Sequence, residues 1–101
     1  MEASLTHEEF SKYANTKFQV QLDQHPPVEL DLVEVSELKV HPQQEEFTIV
    51  FRGPLEVFLN QGVRLLKHDQ MGDCELFIVP VKQDAEGFYY EAVFNRIREQ
   101  Q

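Results

Sequence analysis

From Lys17 onward, apolar and polar residues alternate with a period of two. Phe18, Val20 and Leu22 fall between Lys17, Gln19 and Gln21, the pattern of a strand with one face on a core. Alternation resumes at Val28, Leu30 and Leu32 against Glu29 and Asp31, then slips, because Val33 and Val35 are apolar with Glu34 between them. One extra residue reverses which face points inward, so a β-bulge is predicted near Leu32–Val33. Phe47, Ile49 and Phe51 mark another strand, Val63 and Leu65 the next, and Phe88, Tyr90, Ala92 and Phe94 the last. Between the last two, the run CELFIVPV from Cys74 to Val81 predicts a strand buried on both faces for part of its length. Pro80 places a strand end, an edge or a bulge within it. Polar turns at 23–27, where Pro26 and Pro27 cannot donate to a ladder, and at 41–44, 69–73 and 84–87 divide these runs.

Before Lys17 the signals are helical. Thr6 is placed to cap a helix, Glu9 three residues on completes a T-x-x-E capping box, and Leu5 with Phe10 forms a hydrophobic staple. One short helix over about 6–14 precedes about six strands. The predicted fold is therefore all-β with one short N-terminal helix, a six-stranded antiparallel small barrel or sandwich. The chain reads as a single domain over 1–101, with a β meander over about 16–96 and a frayed tail at 97–101.

The segment FRGPLEVFLNQG, 51–62, interrupts the alternation. Gly53 and Pro54 break the strand, and Leu55, Phe58 and Leu59 fall at i, i+3 and i+4, the spacing of one face of a helical turn. A single turn with three large apolar groups plugs one end of a small barrel. In the alternative, Val57 or Phe58 faces outward and, with Leu55, anchors a partner protein.

RGP with this apolar turn, then QG, Leu-x-His, LFIVPV and G-x-x-YEAVFNR, resembles a small bacterial family known only as a domain of unknown function. The similarity runs from about Tyr13 to Arg96. Members of such families are sometimes encoded beside phage-tail-like genes, so the resemblance implies an accessory or assembly role and assigns no catalytic residue.

Composition narrows the function classes. The net charge of −9 is uneven: ten acids stand against three Lys or Arg in residues 1–50, and eight against six in 51–101. Phosphate contacts need Lys and Arg, so direct nucleic-acid binding is not expected, nor is an anionic membrane surface. A protein partner is the expected ligand, with oligomeric state left open. Glu29, Asp31, Glu34 and Glu37 form an acidic stripe, and the alternative it raises is a decoy that imitates phosphate before a basic, nucleic-acid-binding protein, with Glu29, Asp31 and Glu34 as its contact residues. The Phe-rich interior raises a further alternative, a small-ligand-binding barrel. One cysteine, Cys74, an acidic first segment without an apolar core and no membrane-length apolar run predict a cytoplasmic protein.

Catalytic patterns are sparse. The four histidines show neither H-x-H nor H-E-x-x-H spacing, and His68, Asp69, Asp73 and Cys74 are the densest group of metal-ligand types. No cofactor, metal or catalytic set is expected, and the chain reads as a non-enzymatic interaction or assembly module.

Overall fold

Residues 6–97 are described by the computed structural model. Helix α1, His7–Lys12, starts where Thr6 turns the chain: its hydroxyl accepts the Glu9 N–H at 3.1 Å. Leu5, expected to staple this end, lies outside the described residues, as do positions 98–101 of the expected tail. Phe10 is wholly buried and packs against Phe18, Phe47 and Phe94 at ring distances of 5.3–6.5 Å. A six-residue helix is not stable alone, so that aromatic contact is what holds it over the end of the sheet.

Seven strands follow: β1 Lys17–Leu22, β2 His25–Val35, β3 Lys39–His41, β4 Gln44–Gly53, β5 Gly62–His68, β6 Gly72–Asp84 and β7 Gly87–Ile97. Six of them close into an antiparallel barrel in the order β2-β1-β5-β6-β7-β4, and a β2–β4 ladder completes the ring. The extra strand, β3, pairs with β4 at Lys39↔Glu46 to His41↔Gln44, beyond the stretch that β2 occupies at Asp31↔Arg52 to Val35↔Ile49. Ser36 bridges the gap, with its N–H on the Thr48 carbonyl at 2.8 Å and its hydroxyl accepting the Thr48 N–H at 2.9 Å.

The chain is not the single meander its alternation suggests. β4 pairs with β7 over ten residue pairs, from Gln44↔Ile97 to Gly53↔Phe88, while β5 turns back to β1 through only Gln19↔Lys67 and Val20↔Leu66. β4 and β5 are therefore not neighbours, and residues 54–61 must cross one end of the barrel to join them.

The predicted bulge is present, between Leu32 and Glu34 against β4. Val33 is the extra residue, so Leu32 stays inside while Glu34 joins Glu29 and Asp31 outside. The predicted turn at 23–27 is shorter: Asp23 and Gln24 make it, Gln24 takes a positive φ of 57°, and Pro26 and Pro27 lie within β2. They are accommodated because β2 reaches β4 only from Asp31 onward, which leaves that side of the prolines without a strand partner. The interior is filled by Phe18, Leu30, Phe51, Leu66, Ile78 and Tyr90, among others, as expected of a barrel this narrow.

Candidate functional site

The crossing segment contains no helical turn. Residues 55–56 form a turn and 57–60 are irregular. Only Leu59 enters the core; its N–H is taken by the buried Tyr90 hydroxyl at 3.0 Å. Val57 is half-buried against the core, whereas Leu55 and Phe58 are exposed, Phe58 edge-on to Phe88 at 5.1 Å. The three-residue plug expected from the i, i+3, i+4 spacing is thus a one-residue plug. The chain must stay extended enough to span the barrel end between β4 and β5, which are not neighbours, so the three apolar groups are not gathered on one turn.

The acidic stripe is outward, but it is not free. Asp31 sits between Lys17 at 2.9 Å and Arg52 at 3.2 Å; Lys17 also reaches Glu29 at 3.7 Å, and Arg52 reaches Glu86 at 3.3 Å. Partial burial would raise the Asp31 pKa, yet the hydrogen bonds and charges of Lys17 and Arg52 outweigh it and hold the carboxyl below its ordinary value. Two cations already occupy the middle of the stripe. Glu34, beyond the bulge, is fully outside this network.

A different surface emerges on β5, β6 and β7. The run expected to be buried on both faces alternates instead: Cys74, Leu76 and Ile78 point inward, while Phe77 is 52% exposed. Across the ladder Phe77 faces Val63, which is 64% exposed, and Leu65 lies two residues along on the same face. Val81 is exposed at the β6 irregularity between Pro80 and Lys82, and Val93 is exposed on β7. Val79, Glu91, Val50 and Glu34 form one row across four strands through the pairs Val79↔Glu91, Glu91↔Val50 and Val50↔Glu34. Sequence reasoning missed this wall because apolar alternation shows two apolar faces without showing which of them meets solvent.

The remaining titratable candidates serve the fold. His68 is buried among Tyr13 and Phe18, with ring distances of 4.8 and 4.4 Å. Its Nδ1 accepts the N–H groups of Gln70 and Met71 at 3.0 and 3.1 Å, which assigns the ring proton to Nε2, donating to the Thr16 hydroxyl at 2.9 Å. Thr16 in turn donates to the Tyr13 carbonyl. Burial lowers the His68 pKa, with Asp69 opposing weakly, so the neutral ring is favoured. Cys74 is buried and its thiol pushed up by desolvation and by Asp73, which makes it a poor nucleophile. An open hollow of about 410 Å³ lies over Tyr13, Thr16, Lys17 and His68, but both His68 nitrogens are already bonded. Among the described residues no group of three His, Cys, Asp or Glu side chains is arranged to hold a metal ion, and no helix is long and apolar enough to cross a membrane.

Among protein families, a model described as a domain of unknown function, DUF6916, matches residues 5–94. No curated protein and no solved structure matches the chain.

Proposed function

This chain belongs to the DUF6916 family, and we propose that it is a non-enzymatic protein-interaction or assembly module that docks through the outer wall of β5–β6. The observation that carries this reading is the Val63↔Phe77 pair, two large apolar side chains directly opposite each other and both more than half exposed. Leu65 and Val81 extend the wall. Scattered apolar residues need no explanation, but a contiguous apolar surface rimmed by polar groups marks an interaction site. The use of His68 and Cys74 for packing and turn-locking supports a scaffold rather than a reaction centre.

Because Val63 and Phe77 face away from the core, replacing both with Glu leaves the thermal midpoint within a few degrees of wild type. The double variant, used as bait beside the wild type, is expected to lose the partner that the wild type recovers. Recovery of the same proteins in the same amounts by both baits would refute the docking wall.

A further inference from the structure

We infer that the partner seated on this wall is a basic protein surface, one that interleaves apolar side chains with Lys or Arg, and not a second copy of this chain. The inference rests on the docking reading above and adds the chemistry of the occupant.

The wall sets carboxylates beside its apolar side chains. Leu65 is paired with Glu75 and Val79 with Glu91, and Glu91 is paired in turn with Val50. Directly opposed residues of an antiparallel ladder have Cβ atoms about 4.5–5.5 Å apart, so each of these carboxylates stands beside an apolar side chain on the same face. Among the described residues, Glu75 and Glu91 enter no ion pair, in contrast to Asp31, whose two cations, Lys17 and Arg52, stand directly opposite it on β1 and β4.

The cations nearest the wall lie at its margins, and among the described residues none of them forms an ion pair with Glu75 or Glu91. Lys67 is cross-strand from Asp73, and Lys82 sits 4.5 Å over the Tyr89 ring. Arg52 is committed to Asp31 and Glu86. A partner must therefore bring its own positive charge, or leave Glu75 and Glu91 desolvated without a counter-ion at the edge of an apolar contact, which is costly. A second copy brings the opposite of what is needed. An isologous contact sets the same patch against itself, so it would place carboxylate against carboxylate between chains that each carry a net charge of −9. Charge complementarity of this kind sets partner choice and association rate more than raw affinity, so the complex is expected to weaken steeply with salt.

The test uses the full chain and three end-blocked synthetic peptides of equal length. One alternates Val with Lys, one alternates Val with Glu, and one alternates Ser with Lys. Fluorescence anisotropy at low salt is expected to show binding of the Val–Lys peptide, at least tenfold weaker binding of the Ser–Lys peptide, and none of the Val–Glu peptide. Glu75→Lys with Glu91→Lys should weaken the Val–Lys peptide at least tenfold, and raising the salt to 0.5 M should do the same to wild type. Circular dichroism verifies that the variant is folded; should it not be, Glu75→Gln with Glu91→Gln replaces it with the same expectation. Equal binding of the Val–Lys and Val–Glu peptides would overturn the inference. So would failure of all three peptides, or sedimentation of wild type as a dimer that the Val63→Glu, Phe77→Glu variant abolishes. The dimer result would leave the docking wall standing with a different occupant, whereas unchanged partner recovery by that variant removes the wall itself.

Discussion

At the scale of the residue, His68 shows most directly how one side chain can be committed to structure. Two backbone N–H groups and one hydroxyl saturate its ring nitrogens, and the arrangement requires Nδ1 to be unprotonated. A histidine whose folded pKa lies below its unfolded value stabilises the protein fully above the ordinary value of 6.5; that contribution is lost as pH falls from there toward the lowered folded value. The urea midpoint should therefore decline as pH falls from 7 to 5. The ring carbon signal of His68 should titrate below 6.5 in NMR spectra; titration at or above that value would refute the neutral, locked ring. Gly87 shows a different constraint. It has a φ of 156°, and a Cβ there would land on the Gly53 carbonyl oxygen. The tight approach of β7 to β4 at that end therefore admits only glycine.

At the scale of the element, α1 is an aromatic contact with a helix around it. Thr6 and the first-turn acids start the helix, but Phe10 anchors it, so Phe10→Ala should cost about 3–5 kcal/mol of stability, the range for removing a buried aromatic. Chemical denaturation measures this directly; a loss below about 1 kcal/mol would mean that the helix caps nothing. Much of this level was legible in the sequence. The capping threonine, the strand alternation and the Leu32–Val33 bulge all follow from local pattern and appear where that pattern puts them. Two features were not. Pro26 and Pro27 look like a turn because proline cannot join a ladder, and only the staggered ending of β4 shows that β2 has a side where no ladder is needed. The wall at Val63 and Phe77 was hidden because solvent exposure is a property of the closed barrel, not of the strand.

At the scale of the whole molecule, the ladders are unequal. Ten residue pairs join β4 to β7, seven join β5 to β6, and two join β1 to β5. Local opening follows the least paired seam, since amide protection tracks how much structure must break to expose a group. Amide exchange at Gln19, Val20, Leu66 and Lys67 that depends on the β1–β5 bonds should be faster than exchange at the centre of β4–β7, around Ile49 and Ala92. Equal protection in both seams would show that the barrel opens only as a unit. The acidic surface is likewise a property of the assembled molecule. Chain order gathers the acids toward the first half, yet folding spends part of that charge on Lys17 and Arg52 and sets Glu75 and Glu91 on the outer faces of the adjacent strands β6 and β7, with Glu34 on β2, three strands round the ring from β6.

The bulge at Val33 bears on which genetic changes the fold tolerates. The in-frame loss of that one codon would leave Leu32 facing Phe51 and Glu34 facing Val50, as they do now, so the inward and outward sets of β2 would survive with a straighter strand. The same loss at Gln19 would turn either Phe18 or Val20, both wholly buried, toward solvent. Single-codon deletions in this gene are therefore expected to be far better tolerated at position 33 than along β1.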